Sequence, residues 1–369
     1  MRVLASNSGD KRGAKTLRVS PQGSIDTPEA RPQNKKPHLA ASTIGRIALQ
    51  LLFAAPAAGP SSKGNPHDND PSTRPVRAEG LSHGRFLQQL LNGLTLGGIY
   101  SLVALGLTLV YGIMHVPNFA HGAFYMLGAF VSFQLMTAYG VNYWLAMLGS
   151  ALCVAVISVL AERLVFHPLR HASGLHPMVA AIGMLLFLEA AAQAIWGADF
   201  HRMKTPYTGI VDIGGIVAPV QRLLIIAGAF SLMVLLQLFL KKTVMGSTII
   251  AMAQNRDGAS LVGIDANKVA MLTFAISGAL AAIAATLYAL INLVYPAMGH
   301  LVITKAFVII ILGGMGSVPG AIVGGLIIGF AESFGAYYIS TNYKDIIAFA
   351  LLVVILSLRP QGLFTKAGR

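Results

Sequence analysis

Few side chains in this 369-residue sequence can do chemistry, and most of them lie inside apolar runs. Glu189 sits within one such run and Glu332 near the end of another. An ionisable group at membrane depth is costly and marks a functional site by default, so a proton or sodium relay is the chemistry these two would support. Asn118 and His121 open an apolar stretch just after Pro117. Free backbone N–H groups at such a helix start favour negative charge, which suits the carboxylate of a zwitterionic solute. The plainer role is an N-capping asparagine and a hydrogen-bonded core histidine. His167, His171 and His176 share a loop with Arg163 and Arg170. The first two have the spacing of helical metal ligands, but Pro168 breaks the turn between them, and the loop reads as solvated, with no metal site. His121 has no evident serine or cysteine partner in the sequence, so no catalytic residue is assigned. Gly313-Gly314-Met315-Gly316 resembles a phosphate cradle only in composition, and neither a Walker lysine loop nor a dinucleotide fingerprint is present. The single cysteine, Cys153, cannot form an internal disulfide and reads as packing.

The elements that must position these residues are apolar helices. The chain is 55% hydrophobic and 11% charged, where a soluble domain carries about 25% charged residues. From Phe86 to Ala161 there is no Asp, Glu, Lys or Arg, and about 20 apolar residues make one crossing. The fold class is therefore an all-α polytopic membrane protein, a bundle of about eight transmembrane segments with one or two broken or re-entrant helices. Expected spans are Phe86–Ile113, Asn118–Ala138, Asn142–Glu162, Met178–Trp196, Leu223–Leu240, Val269–Leu293 and Ile346–Leu358. Residues 302–333 hold about 1.5 spans, and the run Gly313–Gly320, with Gly313, Gly314, Gly316 and Pro319, interrupts them. Two half-helices meeting at an unwound turn fit this pattern. The breaks at Pro117 and Pro319 are candidates for a translocation path, since interrupted helices line such paths in transporters; kinks in a glycine-rich bundle fit the spacing equally well.

One stretch between spans cannot cross. Lys241–Asp265 carries Lys241, Lys242, Arg256, Asp257 and Asp265, and its apolar Ile249, Met252, Ala253 and Leu261 recur at helical spacing. It reads as a short amphipathic helix at the membrane surface. With that helix inside, counting crossings places Arg163–His176 inside and Gly197–Gln221 outside. Counting back also puts the first 85 residues outside. These differ in composition: 13 Lys/Arg against 6 Asp/Glu, with abundant Pro, Ser and Asn. They are expected to be a disordered basic extension or the product of a misassigned start; a signal peptide fits poorly, because the basic region before Ile44–Ala58 is too long. The net charge of +13 reflects basic loops that set topology and touch anionic lipid. Nucleic-acid binding is not expected.

The motifs NFAHGAFYMLGAF, ASLVGI (Ala259–Ile264), LGGMGSVPGAIVGG (Leu312–Gly325) and SLRPQGLF, with the opening LNGLTLGGIYSLVALGLTLVYG, resemble the inner-membrane permeases of branched-chain amino-acid ABC importers. The likeness covers about residues 86–366. It implies a permease domain without enzymatic activity that passes branched-chain or related amino acids across the bacterial inner membrane. It further implies a periplasmic substrate-binding protein, a second permease subunit, and two cytoplasmic ABC ATPases, which would use ATP and magnesium; this chain itself needs no cofactor. The family's coupling helix maps onto Gly246–Ile264, with Ala253, Asn255, Arg256, Ala259 and Gly263 as the ATPase-coupling residues. Ile250 and Ser247 stand where the family commonly has arginine, which leaves Arg256 to supply the charge. An ion-coupled secondary carrier using Glu189 or Glu332 is the alternative.

Overall fold

The computed structural model describes residues 78–170, 172, 174–204, 207–213, 216–359 and 361–364. The expected N-terminal extension lies outside these up to residue 77, as does His171. The first helix, α1 (Ala78–Met114), begins ahead of the expected Phe86. There follow α2 (Ala120–Thr137), α3 (Tyr143–Ala161) with a π-helical turn at Glu162–Phe166, and α4 (Leu175–Trp196). Next come α5 (Val220–Lys242), α6 (Val244–Gln254), α7 (Arg256–Leu261) and α8 (Ala266–Tyr288). The chain ends with α9 (Met298–Gly313), α10 (Val318–Tyr338) and α11 (Lys344–Leu358).

Seven described helical stretches, containing α1, α3, α4, α5, α8, α10 and α11, are long and apolar enough to cross a membrane. This is an all-α polytopic membrane protein. Helix α2 is not among the seven, and every one of its residues from Ala120 to Phe130 is buried. Its polar groups are tolerated because protein, not lipid, surrounds them. Helix α1 is the most enclosed, with 89% of its apolar window buried against 6% for α11. Cys153 is exposed on α3 and does not pack in the core as expected. Leu148, Leu152 and Val156 share that exposed surface, where lipid is the natural solvent for apolar groups.

Lipid tails are as apolar as leucine, so close backbone approach must replace the hydrophobic effect in holding helices together. Helix α10 runs antiparallel along α1. A Cβ placed at Gly329 would lie 2.3 Å from the Gly97 nitrogen, and one at Gly325 would lie 2.3 Å from Ser101 Oγ. Only glycine permits that separation. Helix α8 packs against α1, α2 and α3, and serine hydroxyls bridge these contacts: Ser158 Oγ donates to the Phe274 carbonyl at 2.8 Å and Ser277 Oγ to the Gly106 carbonyl at 2.8 Å.

The break between α1 and α2 lies where Pro117 predicts it, with His115 at φ 54° turning the chain. The interruption in 302–333 also falls at the glycine run, and the two arms differ in length: α9 has 16 residues and α10 has 21. Gly313 and Gly320 meet backbone to backbone, a Cβ on either one falling 2.2 Å from the other's carbonyl oxygen. Because α10 is antiparallel to α1, the turn before it lies at the Met114 end, and its Met315, Gly316 and Pro319 are exposed. The chain after α11 returns to this turn. Leu363 N–H donates to the Leu312 carbonyl at 2.9 Å and Phe364 N–H to the Gly313 carbonyl at 3.1 Å, satisfying two of the four carbonyls a helix end leaves open. One feature was not expected. Ile210–Ile213 (β1) and Ile216–Pro219 (β2) form an antiparallel hairpin, with Ile213 opposite Ile216, in the segment before α5.

Candidate functional site: a surface helix pair and a charged cavity

The Lys241–Asp265 stretch is two helices, not the single helix expected over 246–264. Thr243 caps α6, its hydroxyl accepting from Gly246 N–H at 3.0 Å. Asn255 then leaves the helical region (φ −155°, ψ 101°) and caps α7, accepting from Gly258 N–H at 2.9 Å. A side-chain oxygen that satisfies free N–H groups starts a new helix. Gly263, at φ 85°, closes α7, and Asp265 caps α8 by accepting from Asn267 N–H at 2.9 Å and Lys268 N–H at 3.4 Å. Those N–H groups hold the exposed Asp265 carboxyl below the usual carboxylate range.

Ile249, Met252 and Ala259 are buried and anchor the pair, while Ala253 packs on α1 at Gly112, where an added Cβ would lie 3.2 Å away. Asn255 is exposed and Arg256 half-buried. Leu261, expected on the buried face, is 88% exposed and lies with Val262 and, on α6, Val244 and Met245 among the exposed apolar residues. Beside the pair is a cavity of about 200 Å³ lined by Met114, His115, Arg170, Met252 and Arg256. Arg170 pairs with Glu162, both nearly buried, and donates to Asn267 Oδ1 at 2.5 Å. This ties the π-helical turn to α8. His167 and His176 are exposed, but His176 lies in the first turn of α4 and not in the loop the sequence suggested.

The path residues fall in two places. Asn118 is buried; its Oδ1 accepts from Ala120 N–H at 3.1 Å, and its Nδ2 has no partner. His121 is fully buried between α1 and α8, with Nε2 3.1 Å from the Val103 carbonyl and Nδ1 3.2 Å from Ser277 Oγ. The serine neighbour that sequence distance concealed is thus present, but its hydroxyl is held by the Gly106 carbonyl. Neither Asn118 nor His121 lines the cavity beside Arg256 or the one at the opposite end. Gly313, Gly314, Gly316 and Pro319 form the α9–α10 turn, on the same side as α6–α7.

The opposite end, where the β hairpin lies, holds a cavity of about 370 Å³ between α1, α5, α8, α9, α10 and α11. At its wall is an ionic cluster. Lys305 of α9 lies 2.8 Å from Glu332 Oε1 on α10 and 3.0 Å from Asp345 Oδ1 on α11. It also donates to Tyr100 Oη on α1 at 3.1 Å, and Tyr100 donates to Glu332 Oε2 at 2.8 Å. Four helices therefore meet on one ammonium. Glu189 is likewise paired, 2.5 Å from His300 Nε2. The sequence reading weighed both glutamates and missed Lys305. Its signal was there: Lys305 is the only charge between Lys268 and Glu332.

A bundle of crossing helices with a charged cavity at one end and a helix pair lying on the other has the parts of a membrane permease. Residues 89–356 match the family model described as branched-chain amino acid transport system, permease component, and the chain belongs to that family. It is a transport subunit. It is 38% identical over 298 residues to the Pseudomonas aeruginosa permease protein BraD, covering 76% of this chain and 96% of that one. To Escherichia coli K12 LivH it is 36% identical over 299 residues, covering 76% and 96%. A more distant likeness, 24% over 298 residues, is to E. coli LivM, covering 73% of this chain and 68% of that one. BraD, LivH and LivM are each named as high-affinity branched-chain amino acid transport system permease proteins.

Proposed function

We propose that this chain is the membrane-spanning subunit of an ATP-driven ABC importer that moves branched-chain or related small amino acids across the bacterial inner membrane. Membership of the permease family supports the solute class. The observation that carries the coupling is the α6–α7 pair, where Val244, Met245, Leu261, Val262 and Asn255 are exposed and Arg256 is half-buried. Apolar side chains left exposed outside the spans are surface that a docked protein would cover. Two cytoplasmic ATPases occupy it and use ATP with magnesium; a periplasmic binding protein delivers solute to the β-hairpin end. E. coli has two permease proteins named for such a system, LivH and LivM, which supports a second permease as partner here. ATPase closure pushes α6–α7, and because Met252 and Ala253 rest against the core near Gly112, the bundle rocks as a rigid body. An ion-coupled carrier needs a carboxylate free to take up and release its ion, whereas Glu189 and Glu332 are held by His300 and Lys305. Replacing Gln254–Asp257 with glycine and serine should abolish ATP-dependent leucine uptake while the protein stays in the membrane at normal level. Undiminished uptake would overturn the coupling assignment.

A further inference from the structure

We propose that the cavity at the β-hairpin end is a binding subsite for the zwitterion of an α-amino acid, with Arg222 receiving the carboxylate and the Glu332–Asp345 pair the ammonium. The proposal rests on the transport reading above and adds where in this chain the solute's charges are held. Two independent features of the cavity carry it.

The first is surplus negative charge. One ammonium, Lys305, faces two carboxylates, Glu332 and Asp345. Glu332 is also bonded by Tyr100, and its side chain is 2% exposed, while that of Asp345 is 48% exposed. Both hydrogen bonds to Glu332 fall on Oε2, from Tyr100 and Lys305, and Oε1 accepts none, so the carboxylate pair keeps capacity for a second cation, which the half-open Asp345 side chain can reach. The second feature is an unanswered positive charge. Arg222, near the start of α5, lines the same cavity, is half-buried, and has no hydrogen bond or ion pair among the described residues. A planar guanidinium in that position offers paired donors that match a carboxylate. Lys344 adds a further cation at the exposed rim.

The remaining surface is suited to an aliphatic side chain. Leu96, Tyr288, Leu301 and Val302 face the same space. The volume of about 370 Å³ lies in the range of about 300–1,000 Å³ usual for small-molecule sites. A ligand carrying both charges would answer Arg222 and Asp345 together; a ligand with one charge would leave the other wall unpaired. Asn92 and Asn292 supply neutral polar groups between the walls.

The test uses the assembled transporter in proteoliposomes with its binding protein and ATPases. Arg222→Gln should lower leucine uptake at least tenfold with the subunits still co-purifying at normal level, and Arg222→Lys should recover part of it. A second readout does not depend on Arg222. In a Cys153→Ala background, Ala336→Cys places a thiol on the cavity wall. Saturating L-leucine, applied without binding protein, should slow its modification by a membrane-impermeant thiosulfonate at least threefold. The two single-charge analogues, 4-methylpentanoate and 3-methylbutylamine, should not protect. Wild-type uptake by Arg222→Gln, labelling indifferent to leucine, or equal protection by either analogue overturns the subsite. If the unsubstituted transporter itself moves no leucine with ATP, the transport assignment falls and the subsite falls with it.

Discussion

Single residues decide how closely these helices approach. A Cβ on Gly329 would lie 2.3 Å from the Gly97 nitrogen, and one on Gly97 would lie 3.0 Å from the Leu326 Cα. Gly329→Val should therefore force α10 away from α1, at about 1–3 kcal/mol or more for overpacking a tight site. A thermal-unfolding scan of the protein in detergent should show the loss; an unchanged midpoint would mean that the seam is not under that constraint. The small residues Gly93, Gly97 and Gly98 of α1 are plain in the sequence, but their partners are not, because pairing across the chain leaves no periodic signal in one sequence. The same holds for Lys305. It was visible as a lone charge in an apolar run, yet nothing local says that it meets Glu332, Asp345 and Tyr100 on three other helices.

At the scale of elements, apolar length and proline breaks made most helices legible, because crossing a bilayer sets segment length and Pro117 and Pro319 interrupt the ladder. The Asn255 break was missed although its cap signal was present: Thr243, Asn255 and Asp265 each precede a helix and accept its free N–H groups. Helical spacing of apolar residues outweighed that signal and put Leu261 on the wrong face. The hairpin was missed too, although the run Ile-Val-Asp-Ile-Gly-Gly-Ile-Val-Ala-Pro at 210–219 pairs β-favouring residues around a Gly-Gly turn signal. The C-terminal strap has a function at this scale. By closing the Leu312 and Gly313 carbonyls, it fixes the end of the short helix α9. Ending the chain at Arg359 should lower the detergent unfolding midpoint and increase proteolysis at Met315. A truncated protein as resistant as the full chain would rule the strap out as a brace.

For the molecule as a whole, the helix order places α6–α7, the α9–α10 turn and the C-terminal strap at one end, and the β hairpin and ionic cavity at the other. Tyr139, after α2, and Leu261 are both well exposed, at 73% and 88%, on opposite ends. In a Cys153→Ala background, an impermeant maleimide should label Tyr139→Cys in spheroplasts and Leu261→Cys only in inside-out vesicles. Labelling of both from one side would overturn the arrangement. That the charged stretches Arg163–His176 and Lys241–Asp265 share an end was legible, because they fall at alternate crossings, and Arg170 bonds Asn267 just after the second stretch. The positions of Asn118 and His121 were not, since a buried core histidine and a path-lining one look alike until neighbours are placed around them.

The enclosure of α1 has a consequence for how the protein is made. The bond from Tyr100 to Glu332 joins residues 232 apart in the chain. At about 5–20 residues per second, the ribosome needs roughly 10–50 s to travel between them. During that interval α1 stands without its principal neighbour, its glycine face and the Ser101 hydroxyl turned toward lipid or the insertion machinery. Assembly is therefore completed from the far end of the chain, and a nascent protein stalled before α10 would present an unsealed groove to membrane quality-control proteases.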